Sequence, residues 1–430
     1  MQNFREKFLI YPSYFAIILL PFSLFIGNAV LNLNIILIIF FGLYFYFKEN
    51  IKFNFFFLFA TLLILLFLVV NIYQSSDKEL SIKGSLGLIK NFLFFVSILI
   101  LFSINSKNFE LFCKSIFYSV IFVALDTVIQ FFFGSDIFGF ELQSTHGVRL
   151  SGPFGDEYVV GAYLSKLLFL SAIYLYFFKS KKNILILSYI FFVSIVIFLT
   201  QERSAFYLTV ISCIIFVFLF DEKIKIKLSI IFAFFIIISF ISFNSPTFKK
   251  KYFNQTFTEF GLTKNAKIEM ITGDDVSALR IKSFMDSRYG AHFLTAYEIF
   301  KDEFIIGSGI KTFRSICSSK QYENINSSFK QFRCNTHPHN FYLEILSETG
   351  LLGFCVLIIF LIFLLYKFII HFSKDKNLYS LLLCSFLILF LPTQTSGSFF
   401  STFNGIFYWI FFSIFFYLNK INFFLFLEKK

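Results

Sequence analysis

His339 and Asn340 lie where a long polar segment meets a strongly apolar one. Thr336 and Pro338, just upstream, are typical of a helix start, so we expect His339 and Asn340 in the first turn of a helix. The helix macrodipole is positive there and disfavours a protonated imidazole. A neutral imidazole can accept a proton from a hydroxyl near pH 7, so His339 is a candidate general base.

The residues after Asn340 predict a short amphipathic helix that lies flat on an apolar domain. Asn340 and Glu344 share its polar face and could orient the histidine or its substrate, although structural roles are favoured for both. Nine residues separate Asn340 from Gly350, which suits a helix C-cap. Gly353 should let the next apolar helix approach a neighbouring helix closely. We therefore expect both glycines to position the helix.

The composition places these residues in a membrane protein. Hydrophobic residues make up 57% of the 430-residue chain, and the mean hydropathy of +0.76 is far above that of a soluble domain. Apolar windows of about 20 residues predict an all-α, polytopic fold. Its twelve expected transmembrane helices are 9–27, 30–47, 53–72, 86–104, 111–133, 154–178, 183–200, 204–220, 228–243, 351–371, 378–395 and 404–418.

The distribution of lysine and arginine predicts the orientation. Alternate connections carry the positive charge that marks cytoplasmic loops, so both termini should be cytoplasmic and the first helix uncleaved. The chain then divides into transmembrane helices in residues 1–243, a large outward loop subdomain in 244–350 and further transmembrane helices in 351–430. The loop should be helical and polar. The net charge of +12 suits anionic membrane lipids and anionic substrates.

Two cysteines in the outward loop could form either a disulfide or part of a metal site. Cys317 and Cys334 could form a disulfide in an oxidising compartment, with two free thiols as the alternative. Cys334, His337 and His339 also form a C-x2-H-x-H cluster that could bind zinc together with Cys317. We favour the disulfide and expect no metal and no other cofactor.

A transporter is the alternative from another class of protein. Asp126 and Lys166 fall within predicted spans, where ionisable residues often couple to ions. Asp126 could pair with Lys90, Lys166 or Gln130. The sequence shows no convincing internal repeat and no pair of matching broken helices, which many carriers have.

The residues around His339 resemble a known signature. THPHNFYLEILSETGLLGF, residues 336–354, is similar to the H-[NSQ]-x9-G-x-x-G signature of bacterial O-antigen ligases and O-antigen polymerases. RLSGPFG at 149–155 resembles the R-x-x-G-x-F segment of this superfamily, although Asp156 and Glu157 replace its usual Pro-Asn. QERSA at 201–205 and Ser287-Arg288, followed by Gly307-Ser308-Gly309, are similar to its arginine elements.

The resemblance implies a type C glycosyltransferase architecture and an inverting, metal-independent reaction. The donor would be a glycan on an undecaprenyl diphosphate-type carrier, and His339 would activate the acceptor hydroxyl. Guanidinium groups bind phosphate oxygens bidentately, so Arg203 and Arg288 are the expected diphosphate ligands, with Arg149 as a third. Lys249, Lys250 and Lys251 are instead expected to contact lipid headgroups.

The acceptor stays open between three classes. It would be lipid A-core for a ligase, a growing carrier-linked glycan for a polymerase and a protein side chain for an oligosaccharyltransferase. A single dominant outward loop favours the ligase, with its large loop in the periplasm and its helices in the bacterial inner membrane. Membrane lipids are expected partners, and nucleic acid is not.

Overall fold

The fold is a bundle of long helices with one polar insertion. A computed structural model describes residues 2–142, 149–179, 182–260, 267–272, 275–280, 284–392, 397–421 and 424–426. The helices before the insertion are α1 (Gln2–Ile26), α2 (Asn28–Lys48), α3 (Phe55–Gln74), α4 (Lys78–Ile104), α5 (Ser106–Phe133), α6 (Val160–Phe178), α7 (Lys182–Leu199), α8 (Arg203–Leu219) and α9 (Ile224–Asn244).

The insertion contains short helices and a hairpin. Two short helices, α10 (Pro246–Lys249) and α11 (Gln255–Glu259), are joined by a π-helical turn, and α12 (Arg288–Asp302) and α13 (Phe313–Ile316) follow. The chain continues into α14 (Phe341–Phe372), α15 (Lys376–Phe390) and α16 (Thr402–Leu418). Short strands β1 (Ile51–Phe53) and β4 (Phe424–Phe426) pair with each other, as do β2 (Lys267–Thr272) and β3 (Asp275–Arg280), all antiparallel.

The β2–β3 hairpin corrects the prediction of a wholly helical loop. Apolar Ile268 and Met270 alternate with charged Lys267 and Glu269 in β2, which is a strand pattern.

Seven of the described helices, α2 to α6, α9 and α14, are long and apolar enough to cross a membrane. Five shorter apolar stretches, in α1, α7, α8, α15 and α16, lie at the remaining predicted positions. By helix length and composition the chain is a membrane protein, as predicted. The number of twelve spans stays a prediction.

Burial divides these helices into central and peripheral ones. The apolar stretch of α6 is the most buried of the seven and packs against α5, α7 and α15. No residue of α9 is buried. A helix that is apolar on all sides and exposed suits contact with lipid.

Two predicted boundaries differ from the structure for local reasons. The span predicted from residue 154 begins at Val160, because Gly152 and Gly155 adopt φ values of +49° and +65°, outside the helical region. The span predicted to end at 395 ends at Phe390, two residues before Pro392. Proline cannot continue the hydrogen-bonding pattern of a helix.

A break in α14 receives the insertion. Gly350 has φ +63° and ψ −168°, so it ends a first helical segment and α14 resumes after it. The turn after α12 docks there, and the backbone N of Ser308 donates to the carbonyl of Ser347 at 3.0 Å. A Cβ on Gly350 would lie 2.5 Å from the backbone N of Gly307. Gly350 therefore provides the space into which the turn fits.

Candidate active site in the insertion

His339 lies just before the helix rather than in its first turn. α14 begins at Phe341 because Asn340 caps it, with its Oδ1 accepting from the backbone N of Tyr342 (3.0 Å) and Leu343 (3.1 Å). The prediction of an earlier start was therefore wrong, since asparagine is among the strongest N-caps. The Asn340 side chain stabilises the helix, and His339 precedes it with a left-handed φ of +59°.

Three rings of the insertion surround His339. The ring centroid of His337 is 4.2 Å away, that of His292 is 5.4 Å away and that of Tyr289 is 5.5 Å away. Tyr289 and His292 belong to α12, which packs against α14. The packing of these two helices thus determines which rings border the candidate base.

The Nε2 atom of His339 faces a displaceable side chain. Oδ1 of Asn335 accepts from the backbone N of Thr336 at 2.7 Å, which directs Nδ2 of Asn335 toward Nε2 of His339 at 3.0 Å. An amide NH2 only donates, so this contact places the lone pair of the neutral imidazole on Nε2. Because Asn335 is exposed, a substrate hydroxyl can take its place at that lone pair.

His292 is a site residue that the sequence analysis missed. Its side chain is buried, and Nδ1 lies 3.4 Å from the carbonyl oxygen of Arg333. Burial lowers the pKa of His292 and nearby Arg288 lowers it further, against the opposing hydrogen bond to Arg333. His292 lies one helical turn after Arg288, and this i, i+4 spacing is the signal that could have revealed it.

Arg203 is paired with an acidic residue of the insertion. It begins α8, and its Nη2 lies 2.7 Å from Oε1 of Glu259, the last residue of α11. The two side chains are 20% and 26% exposed, so solvent and ligands can reach the pair. Nη1 of Arg203 also lies 3.5 Å from Oγ1 of Thr256.

The other two predicted arginines stack on aromatic rings. Arg288 begins α12, and its guanidinium lies 4.5 Å over the ring of Phe332. Arg149 lies 5.3 Å over the ring of Tyr158 and donates from Nη2 to the carbonyl of that residue at 3.2 Å. Stacking on one face leaves the edge of a guanidinium able to bind an anion.

Tyr289 connects the arginines to the ring cluster. Burial raises the pKa of Tyr289 and Glu259 raises it further, whereas Arg203, Arg149 and Arg288 lower it. All three arginines therefore act on a tyrosine whose ring borders the candidate base.

Lys251 is also influenced by these charges, and its expected contact with lipid headgroups stays a prediction. Burial lowers the pKa of Lys251, Arg149 and Arg203 lower it further, and Glu259 opposes them. The two preceding lysines of the run are exposed. Lys251 is followed by Tyr252, whose buried ring stacks on Phe198 and anchors this turn.

Glu202 holds the segment that carries Arg203. Its buried carboxylate accepts from the backbone N of Gly161 (2.7 Å) and Ala162 (3.1 Å) at the start of α6. The starts of α6 and α8 are thereby joined. The sequence analysis missed this role because a carboxylate and the amides of a distant helix start have no characteristic spacing.

The remaining motif residues lie in the packed junction. Glu344 is buried, and its carboxylate accepts from the backbone N of Phe399 at 2.7 Å and from the hydroxyl of Ser398. Glu344 thus ties α14 to the turn before α16. A Cβ on Gly353 would collide with the Thr349 side chain of the same helix. The predicted role of Gly353 in helix–helix approach stays a prediction.

Cys317 and Cys334 form a disulfide with a Cα–Cα distance of 5.2 Å. It joins the end of α13 to the segment that leads to His339. The zinc alternative needed both cysteines as thiolates. Within the described ranges, no group of three His, Cys, Asp or Glu residues is arranged to hold a metal ion.

The ionisable residues that suggested a transporter have separate local partners. Asp126 accepts from the backbone N of Ile137 at 3.0 Å, and Nζ of Lys166 donates to Oδ1 of Asn404 at 3.0 Å. Lys90 donates to Oγ1 of Thr402 at 3.2 Å. Each contact joins its own pair of segments, so these residues do not form the pairing suggested for Asp126.

The fold and site define a membrane protein with a histidine and several cations in one polar insertion. Residues 187–358 match the family model described as O-antigen ligase, a stretch that runs from α7 into α14 and includes Arg203, Arg288 and His339. This match supports the O-antigen ligase superfamily, whose members are glycosyltransferase-like enzymes acting on lipid-linked glycans. No curated protein matches the chain.

Proposed function

We propose that the chain transfers an O-antigen-type glycan from a polyprenyl diphosphate carrier to a hydroxyl of lipid A-core. The observation that supports this most is the position of Tyr289. Its ring borders the ring of His339, and its pKa responds to Arg203, Arg149 and Arg288. A base and an anion-binding group are the two requirements for glycosyl transfer with a diphosphate leaving group.

The proposed reaction is a single inverting displacement. The acceptor oxygen forms a bond to the anomeric carbon while its proton moves to Nε2 of His339. The bond from that carbon to the diphosphate oxygen breaks, and the electron pair leaves with the diphosphate. Arg203, Arg288 and Arg149 would bind the charge that develops there. The proposal includes no metal, so transfer should survive EDTA, and loss restored by Zn²⁺ or Mn²⁺ would contradict it.

The proposal places the reaction at the periplasmic face of the inner membrane. It includes twelve spans, cytoplasmic termini, a periplasmic insertion and the type C glycosyltransferase architecture. Support comes from the alternation of lysine-rich connections and from the exposure of the site residues outside the apolar helices. The carrier lipid would lie in the bilayer, with its diphosphate at the level of Arg203.

A complementation experiment tests the proposed reaction. The chain is expressed in a ligase-deficient Gram-negative host, alongside His339→Ala at matched membrane abundance. Glycan on lipid A-core with the native chain and none with the variant would support the ligase. If neither chain transfers glycan, the ligase proposal for this acceptor is wrong. Longer carrier-linked chains in a polymerase-deficient host would then identify the polymerase alternative.

A further inference from the structure

Glu259 lies beside Arg203, where the proposed function would bind the anionic diphosphate of the donor. Its Oε1 lies 2.7 Å from Nη2 of Arg203, and the two side chains are 26% and 20% exposed, respectively. Glu259 also opposes the effect of Arg203 on the pKa of both Tyr289 and Lys251. One internal carboxylate therefore lies among the cations to which the donor diphosphate would bind.

The segment that carries Glu259 is anchored at its beginning. The hydroxyl of Tyr252 donates to the carbonyl of Phe198 at 2.6 Å, and the carbonyl of Tyr252 accepts from the hydroxyl of Tyr207 at 2.5 Å. Glu259 lies two helical turns further on, at the last residue of α11. The anchor keeps its carboxylate close to Arg203, so a competing ligand meets a high effective concentration of internal anion.

The position of Glu259 at a helix end disfavours a stabilising role for its charge. The carbonyl end of a helix carries partial negative charge, so an acidic side chain there is repelled. An ion pair that solvent can reach adds little stability in general, and this pair is partly exposed. Removing the charge of Glu259 should therefore leave the fold intact and expose its effect on ligands.

We propose that Glu259 is a specificity-determining residue of the donor site, which excludes singly charged phosphodiester headgroups and yields to a diphosphate. This inference rests on the proposed function. A phosphodiester carries one negative charge, the same as the carboxylate that it would displace, and so gains little at Arg203. A diphosphate carries more charge than the carboxylate and so gains more at Arg203. Specificity then comes from an internal competitor as much as from attraction.

The test uses the full chain in nanodiscs, with geranylgeranyl diphosphate as the probe. Its Kd is measured in phosphatidylcholine discs and in discs that also contain phosphatidylglycerol, for the native chain, Glu259→Gln and Glu298→Gln. Glu298 pairs with Lys301 on the surface of α12 and is the matched loss of one charge. Comparison with this control corrects the measured Kd for the general repulsion between an anionic disc and an anionic probe.

The inference predicts two changes in Glu259→Gln. In phosphatidylcholine its Kd falls about two- to five-fold below that of the native chain, the range expected for one solvent-accessible ion pair. Phosphatidylglycerol then weakens binding more in this variant than in the native chain or in Glu298→Gln. Thermal unfolding of each variant shows whether it is folded, and Glu259→Ala provides a second variant without the carboxylate.

Three outcomes are distinct. In the first, Arg203→Ala weakens diphosphate binding, but Glu259→Gln and Glu259→Ala have the same Kd and the same sensitivity to phosphatidylglycerol as the native chain. This outcome would overturn the inference and leave the proposed function standing. A tighter Kd without greater sensitivity would also overturn the proposed exclusion of headgroups. Failure of the native chain to bind the probe would overturn the donor site and the inference together.

Discussion

The two ends of the stretch from His339 to Gly353 differ in their surroundings. His339 is half-buried, and its Nε2 contacts the exposed side chain of Asn335. At the other end Gly350 and Glu348 are buried among backbone groups, and Glu348 accepts from the backbone N of Lys311 at 2.6 Å. One motif thus combines an accessible reactive group with a packed junction. Substitutions at the two ends should separate activity from stability.

Gly350→Ala should have the largest effect on the junction. A Cβ there would lie 2.5 Å from backbone atoms of Gly307 and Ile305, at a φ of +63°. Left-handed strain and this collision together should lower the free energy of unfolding by about 2 kcal/mol or more. Thermal unfolding and membrane abundance measure the effect.

Gly134→Ala is the matched control for backbone strain. Gly134 has φ +83°, but a Cβ there meets no atom within 4 Å. It should therefore cost only the strain, about 1 kcal/mol. If Gly350→Ala and Gly134→Ala lower the free energy of unfolding equally, the docked turn does not require the space at Gly350.

Arg203→Ala should reduce transfer about 100-fold or more, as the loss of one group that stabilises developing charge does in other enzymes. The protein should keep its thermal stability, because Arg203 is partly exposed. Steady-state kinetics with a lipid-linked donor measure the effect, and Lys249→Ala provides an exposed cation as the control.

Combining Arg203→Ala with Glu259→Gln should leave activity equally low. Recovery in the double variant would mean that the released carboxylate, rather than the lost guanidinium, caused the defect.

Reduction of the disulfide should lower stability and also affect the active site. Cys317 and Cys334 are 17 residues apart, and a closed loop of that size contributes about 3 kcal/mol in the chain-entropy account. Serine at both positions should lower the unfolding temperature and the transfer rate, and dithiothreitol should do the same to the native chain. Cys355→Ser, a change at a free exposed cysteine, should do neither. If the unfolding temperature is unchanged when the cysteines are verified as reduced, the disulfide does not stabilise the protein.

The smallest expected effect is a pH dependence from His292. Its pKa is lowered in the folded protein from the ordinary value of 6.5, so the unfolded chain binds more protons. Its contribution to stability is therefore present above about pH 6.5 and is lost as the pH falls below that value. Thermal unfolding between about pH 7.5 and pH 5.5 should depend less on pH in His292→Phe than in the native chain. An identical slope in both proteins would remove His292 from this account.

Local patterns predicted much of the fold and the ends of the site. Apolar windows located the long helices, and the basic connections suggested their orientation. The pair Cys317 and Cys334 predicted the disulfide that the structure contains. The spacing after His339 indicated the candidate site. Each of these signals depends on residues that are close in sequence.

Contacts between distant segments could not be predicted in this way. Glu259 meets Arg203 across 56 residues, and Glu344 meets Phe399 across 55. The polar face after Asn340 is buried because its carboxylates accept from backbone amides of other segments, a feature that helical periodicity alone does not reveal. Asn340 also shows how a single cap residue determines the start of a helix, which leaves His339 in the loop.

Transfer by the purified protein tests the central claim most directly. The native chain, His339→Ala and His339→Gln are placed in liposomes with a lipid-linked glycan donor and lipid A-core, and glycan transfer and release of carrier diphosphate are measured together. The account predicts that both variants lose transfer by about 10²- to 10⁴-fold, the usual contribution of a general base, while unfolding temperature and donor binding stay unchanged. Transfer at the native rate by folded His339→Ala would contradict the role of His339 as the base.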